Sequence, residues 1–411
     1  MNNRFKYCGF LLLSFIGLNS CNSQKANQYV ANHQIINKEV HLVENDVVIP
    51  AANRVDVYLP LLKNKKVGLL TNQTGVVEIN QSEQIHLVDF LLSRNVDLQK
   101  IYAPEHGFRG TADAGEWIKD GKDAQTGLPI ISLYANNKKP TKEHLEGIDI
   151  MVFDLQDVGV RFYTYISSLH YLMEACAEQN IPLVILDRPN PNIQIVDGPV
   201  LDVDLQSFVG MHPVPILHGM TIAEYAQMIN GEKWLKDGVQ CKLQIVTCDN
   251  YSRSSIYNIP IPPSPNLPNE QSINLYASLC FFEGTNVSVG RGTDMQFQIF
   301  GSPFLENMDF KFTPKPNQGA KNPMYNGKEC KGRNLVKHPK VNKLELKWLI
   351  DAYQNTSDKS KFFNNFFDKL SGNKTLRKQI EQGMSQEEIR KTWQTDLEDF
   401  KKRRVKYLLY K

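Results

Sequence analysis

Short apolar runs alternate with helical periodicities from Lys66 to about Tyr257. The runs Val67–Leu70, Leu98–Ala103, Pro129–Leu133, Ile148–Phe153, Ile181–Leu186 and Lys242–Val246 are dense in Val, Ile and Leu. Runs this short, without polar alternation, predict strands buried on both faces. Ile85, Val88, Leu91 and Leu92 fall at the spacing of one helix face, as do Leu169, Leu172 and Met173. Thr221 is placed to cap a helix that begins at Ile222, with Glu224 in its first turn and Gly231 at its close. The pattern predicts an α/β domain: an open, mostly parallel sheet with helices on both faces.

The rhythm changes at Ile259–Pro268, where five of ten residues are proline. Such a segment reads as a stiff extended connector. Beyond it lies a Gly-rich strand-and-loop region to about Pro339. Leu344–Asn355 and Gln386–Tyr407 then carry helical patterns, so a smaller α+β domain is expected. The basic run Lys401–Arg404 falls in the last turns of the second of these, where cations offset the helix dipole and stay solvated.

A chain of 411 residues suits two domains. The N-terminus adds a targeting signal. Arg4 and Lys6 precede an apolar run, Tyr7–Leu18, that is too short to span a bilayer. It ends at Leu18-Asn19-Ser20-Cys21, which resembles a bacterial lipobox with Cys21 as the lipidated residue. The expected organisation is a lipoprotein signal peptide over 1–20 and a flexible tether over 21–45. A catalytic α/β domain over 46–258, the connector over 259–268 and the α+β domain over 269–411 complete it. Exported and anchored through Cys21, the protein is expected in the cell envelope, facing the periplasm. Its partners would then include the membrane.

Formal net charge is +3, and loss of Arg4 and Lys6 with the leader reduces it to +1. A nearly neutral surface gives no electrostatic case for nucleic acid. Cys176, Cys241, Cys248, Cys280 and Cys330 remain beyond the leader and lipobox, without metal-ligand spacing, so cysteine chemistry is not expected.

Candidate chemistry gathers at the predicted strand ends. The first strand delivers Thr71, Asn72, Gln73, Thr74 and Gly75; the second delivers Pro104, Glu105, His106, Gly107 and Arg109. A third delivers Asp154, Gln156, Asp157 and Gly159, then Arg161, Tyr163 and Tyr165; a fourth delivers Asp187, Arg188 and Asn190. In open α/β sheets ligands lie beyond the carboxyl ends of strands. The second domain offers Glu283, Asn286, Arg291 and Asp294 in a glycine-rich loop able to close over the cleft.

No dinucleotide fingerprint, P-loop, zinc pattern or nucleophile elbow is present, so no cofactor is expected. Amides, carboxylates and tyrosines on loops suit sugar hydroxyls, and arginine suits a carboxylate. Glycoside cleavage needs a carboxylic acid near the leaving oxygen. Glu105, fixed between Pro104 and Gly107, is the candidate general acid, with His106 tuning it or holding a hydroxyl. Asp154 is a candidate base, and Glu283 a second carboxylate across the cleft. Structural alternatives stand beside these. Asp154 can be a buried carboxylate bonded to backbone, Asp187 and Arg188 can pair with each other, and Arg161, Tyr163 and Tyr165 can form a face packed on the second domain. A sugar-binding protein without catalysis, or a metal site of Asp154, Asp157 and His106, would use the same residues.

Five segments together resemble the NamZ family of exo-β-N-acetylmuramidases. They are Thr71–Gly75, Ala103–Gly110, Phe153–Tyr165, Leu186–Pro191 and Glu283–Thr293. The resemblance implies a Rossmann-like N-terminal domain, a smaller C-terminal domain and a cleft between them. It implies release of N-acetylmuramic acid from the non-reducing end of peptidoglycan fragments, with Glu105 at the position of the family's catalytic glutamate. Arg161, Arg188 and Arg291 are then available for the lactyl carboxylate of that sugar. Asn72, Gln73, Arg109, Gln156, Asp157, Tyr163, Asn190, Asn286 and Asp294 complete the expected substrate contacts. Retention, inversion or participation by the substrate's acetamido group depends on separations in space.

Overall fold

The computed structural model describes residues 47–80, 83–105, 107–108, 120–135 and 137–411. The chain enters a sheet at β1 (Lys66–Thr71) and leaves it for a hairpin, β2 (Val76–Asn80) and β3 (Glu83–His86). It returns as β4 (Asp97–Ala103), β5 (Gly121–Lys122), β6 (Pro129–Ser132), β7 (Ile150–Asp154), β8 (Leu183–Leu186) and β9 (Leu243–Val246). The strand order is β5-β6-β4-β1-β7-β8-β9, parallel throughout except for the short edge strand β5. Each apolar run became a strand, and the Rossmann-like expectation holds. The hairpin escaped notice because it is polar, and Ile85 lies in its second strand rather than in a helix. The helix starts one residue after His86, whose ring accepts the Val88 N–H.

The two faces of the sheet bury alternate residues, as the period of a strand requires. Val67 and Leu69 pack with Ile150, Val152, Val184 and the helices Val55–Leu62 and Leu87–Ser93. Leu70, Met151, Phe153 and Ile185 face the other way, against the helices Tyr165–Glu178 and Ile222–Gly231. Burying each such aliphatic side chain contributes ~2 kcal/mol. Gly68 lacks a side chain for a packing reason: a Cβ there would meet Met151 Sδ at 2.4 Å. The helix beginning at Ile222 carries a reciprocal cap, with Thr221 Oγ1 accepting the Glu224 N–H and Glu224 accepting the Thr221 N–H.

The C-terminal part holds a three-stranded antiparallel sheet, β10 (Ile299–Ser302), β11 (Phe310–Phe312) and β12 (Cys330–Asn334), in the order β10-β12-β11. Helices Glu270–Leu279 and Lys347–Gln354 pack beside it. The helical pattern expected over Gln386–Tyr407 breaks into Gln386–Lys391 and Gln394–Arg404. Thr392 Oγ1 takes the Ile389 carbonyl there, which ends the first helix. The basic run is only half solvated. Lys401 and Lys402 pair with Glu398 and Asp399 on the surface, but Arg403 donates to Pro213 O and Arg404 to Gly219 O.

One continuous apolar core joins the two parts. At the junction Phe162 meets Tyr276 and Phe281 edge to face, at 5.5 and 5.9 Å between centroids. Arg161 is fully buried beside it and donates to four carbonyls. Pro199 O and Val214 O lie at 2.8 Å, Leu370 O at 3.1 Å and Ser371 O at 2.7 Å. Removing the guanidinium would take a donor from all four carbonyls, of which Val214 O would keep the Leu201 N–H at 3.2 Å. Arg161→Met is therefore expected to lower the unfolding free energy by about 3 kcal/mol. Urea denaturation measures this, and a midpoint equal to the wild type would show that the carbonyls do not depend on Arg161.

Candidate active site

Strand order reverses around β1, whose neighbours β4 and β7 lie to either side, so a crevice opens beyond their carboxyl ends. Thr71 is in register with Asp154, and Ala103 with Ser132, so these ends finish at one rim. Glu105 stands two residues past the end of β4. The turn that carries it closes when Gly107 N–H donates to Pro104 O at 3.0 Å, with Gly107 at a φ of 75° that favours glycine.

Glu105 is partly exposed, and each of its oxygens accepts a hydroxyl hydrogen. Tyr134 Oη donates to Oε1 at 2.9 Å and Thr164 Oγ1 to Oε2 at 2.6 Å. Thr164 precedes the helix Tyr165–Glu178 without capping it, because its hydroxyl is turned to Glu105 instead. A hydroxyl can donate to a carboxylate or accept from a carboxylic acid. The two hydroxyls can therefore hydrogen-bond to Glu105 either as donors or as acceptors. Tyr134 was foreseeable as the next residue past the Pro129–Leu133 run. Thr164 carried no such signal.

The other carboxylates and cations divide differently. Asp154 is fully buried, and Arg188 holds it in a two-pronged pair, Nε to Oδ1 at 2.5 Å and Nη2 to Oδ2 at 2.9 Å. Arg188 Nη2 also donates to Val76 O. The expected roles of Asp154 as base or metal ligand and of Arg188 as substrate clamp do not fit this geometry, because both oxygens and both prongs are committed to each other. Asp187 does not pair with Arg188. It accepts from Tyr410 Oη at 2.6 Å, Thr221 Oγ1 at 2.7 Å and the Ala223 N–H at 3.0 Å. Arg161 is excluded as a clamp by its four carbonyls. Asn190 is buried between the Met220 carbonyl and the Asn192 N–H, and Gln156 Nε2 ties Asp157 O to Pro189 O. Neither amide faces a ligand with its donor group. Among the described residues no three His, Cys, Asp or Glu side chains form a group able to hold an ion. His106, Arg109 and Cys21 lie outside the described residues.

An aromatic path links Glu105 to the second domain. Asn72 Nδ2 donates to Tyr165 Oη at 2.6 Å, and the Tyr165 ring meets Tyr163 at 4.8 Å between centroids. Tyr163 in turn meets Tyr276 at 5.9 Å, and both Tyr163 and Tyr165 donate to Pro263 O in the proline-rich connector. Burial raises the Tyr276 phenol well above its ordinary range, and its neighbours Cys280, Glu283 and Glu105 raise it further. Both carboxylates therefore act on one phenol across the domain junction. Glu283 Oε1 pairs with Arg291 at 3.1 Å, both side chains remaining about a quarter exposed, and the guanidinium lies 5.9 Å over Phe297. Of Arg161, Arg188 and Arg291, only Arg291 reaches solvent. Asn286 is partly exposed, and Asp294 and Gln73 line a cavity of about 440 Å³.

Residues 67–271 match the N-terminal domain of the family described as exo-beta-N-acetylmuramidase NamZ, and residues 274–410 match its C-terminal domain. The chain belongs to the NamZ family. It is similar to the peptidoglycan beta-N-acetylmuramidase NamZ of Bacillus subtilis (strain 168), with 36% identity over 390 residues, spanning 87% of this chain and 90% of that protein. It is also similar to the crystal structures of two DUF1343 family proteins from Bacteroides fragilis NCTC 9343. One superposes with a TM-score of 0.80 at 44% identity, covering 89% of this chain and 99% of the other. The second gives 0.75 at 30% identity, covering 90% and 100%.

Two buried carboxyls make the stability of this NamZ-family chain depend on pH. Burial pushes Asp157 from an ordinary 3.8 up to about 7, opposed by the N–H groups of Gly159 and Val158; its Oδ1 has no partner. Burial likewise pushes Asp187 up to about 7 against its three donors. The unfolded chain releases these protons near 3.8, while the folded chain keeps them to about 7. Between those values these two groups hold more protons in the folded state, so their contribution to stability falls as pH rises. Burial lowers the pKa of His170, His212 and His218, whose contributions run the opposite way over the same range. Asp157 is therefore isolated by difference: between pH 5 and 7.5 the urea midpoint of Asp157→Asn is expected to rise relative to that of the wild type. A variant midpoint at a constant offset from the wild type would remove Asp157 from the effect.

Proposed function

We propose that this chain is an exo-acting glycoside hydrolase. It releases N-acetylmuramic acid from the non-reducing end of peptidoglycan fragments during cell-wall turnover. The observation that carries the reading is the Glu105 carboxyl, partly exposed at the sheet's switch point and gripped by two reversible hydroxyls. Family membership and the activity named for the Bacillus subtilis relative support the substrate.

In this reading protonated Glu105 donates to the glycosidic oxygen as the bond to the anomeric carbon breaks. Water supplies the hydroxyl of the released sugar, and its other proton restores Glu105 for the next turnover. Thr164 and Tyr134 re-donate to the carboxylate that remains, which offsets its new charge. The lactyl carboxylate of N-acetylmuramic acid meets Arg291, whose orientation Glu283 fixes from the far side. That assigns Glu283 a positioning role. Cys21, lipidated, tethers the enzyme to the membrane where such fragments arise.

Glu105→Gln is expected to reduce hydrolysis of a chromogenic N-acetylmuramide by ~10²–10⁴-fold with an unchanged thermal unfolding profile. On the same assay Arg291→Gln should weaken muramyl substrates more than glucosaminyl ones. Wild-type turnover by the Glu105 variant would remove the general acid; a wild-type protein that binds the sugar without turnover would favour a capture protein instead. For the anchor, Cys21→Ala should move the protein from the membrane to the soluble fraction, and continued sedimentation with membranes would reject lipidation there.

A further inference from the structure

His86 lies in the polar hairpin that the apolar pattern does not mark, and it caps the helix Leu87–Ser93 from the end of β3. Its half-buried ring is held at both nitrogens. Nδ1 accepts the Val88 N–H at 3.2 Å, and Nε2 lies 2.8 Å from Asn72 O. A carbonyl can only accept, so Nε2 carries the hydrogen and the ring is a neutral imidazole with its lone pair on Nδ1. The same ring meets Phe108 edge to face, at 4.9 Å between centroids and 89° between planes. The backbone beside it is pinned as well, because the Leu87 N–H donates to Gly75 O at 2.7 Å.

Both contacts lead to Glu105. Phe108 stands three residues past it, just beyond the turn that the Gly107 N–H closes on Pro104 O, and is 4% exposed. A buried ring packed edge-on against a second ring opposes movement of that turn. Asn72 leads to the same carboxyl by another route. Its Oδ1 accepts the Thr74 N–H and hydroxyl at 2.9 and 2.6 Å, which aims Nδ2 at Tyr165 Oη, 2.6 Å away. Tyr165 follows Thr164, whose hydroxyl meets Glu105 Oε2 at 2.6 Å. One imidazole therefore touches the segment that carries the acid and the chain of bonds that leads to one of its hydroxyl partners. A general acid works over hydrogen-bond distances, and misplacement by about 1 Å can cost ~10²-fold in rate.

We propose that His86 is a positioning residue for Glu105. It holds the turn through Phe108 and the hydroxyl of Thr164 through Asn72 and Tyr165, so that carboxyl and partner stay in register. The inference rests on the reading of Glu105 as the general acid.

Two substitutions separate this role from helix capping. Asparagine is itself a preferred cap, yet it is too short to reach Asn72 O or Phe108. Glutamine has the length to return a donor to Asn72 O. With the full-length protein and an aryl N-acetylmuramide, His86→Asn is expected to lower kcat ~10–100-fold, with KM within about twofold of the wild type. Its thermal unfolding midpoint should stay near that of the wild type, and His86→Gln should regain part of kcat. In the Glu105→Gln background, where no acid is left to position, His86→Asn should change the residual rate by less than about twofold. Wild-type kcat in His86→Asn, a loss confined to KM, no recovery in His86→Gln, or an equal fold loss with and without Glu105 would each overturn the role while leaving Glu105 as the acid. If His86→Asn fails to fold, His86→Gln is judged by the same kinetic split. Wild-type turnover by Glu105→Gln alone, or no hydrolysis by the unmodified protein, would instead reject the acid, and the positioning role with it.

Discussion

A guanidinium with no carboxylate partner holds the two halves of this molecule in register. Arg161 is fully buried, and its donors run to Pro199 and Val214 on one side and to Leu370 and Ser371 on the other. Burial lowers its pKa to about 9, so it remains charged at neutral pH. A buried cation is tolerated only where acceptors surround it. Those acceptors are main-chain groups of both domains, so the charge is satisfied only in one relative placement. The cleft inherits its geometry from that requirement.

The same logic separates buttress from site at the rim of the sheet. Asp154 and Arg188 neutralise each other in the interior, and through Val76 O they also fix the start of the β2–β3 hairpin. This stiffens the ends of β7 and β8 without leaving either charge for a ligand. Glu105 is treated in the opposite way. It is partly exposed, and among the described residues its oxygens accept from neutral hydroxyls rather than from a cation. A buried ion pair and a partly exposed carboxyl thus sit within one sheet edge because their partners differ.

The C-terminal residues close the structure onto the first domain. Tyr410 Oη donates to Asp187, just past the end of β8, and accepts the Cys248 N–H at 2.9 Å. Arg403 and Arg404 reach Pro213, His218 and Gly219 from the last helix. The chain therefore ends by satisfying polar groups of the domain with which it began, and the proline-rich connector serves as a wall of the cleft, offering Pro262 and Pro263 carbonyls to Gln73, Tyr163 and Tyr165.

The apolar runs by themselves determined the sheet, because a strand buried on both faces needs side chains such as those of Ile150–Phe153 whatever surrounds it. The polar residues following each run marked the rim for the same reason, and the proline and glycines around Glu105 marked its turn. Only the tertiary structure decided which of those polar groups are committed elsewhere. Asp154 meets Arg188 34 positions away, Glu105 meets Thr164 59 positions away, and Arg161 meets Ser371 210 positions away. A side chain's availability depends on the donors and acceptors that packing brings to it, and those come from segments that no local spacing connects.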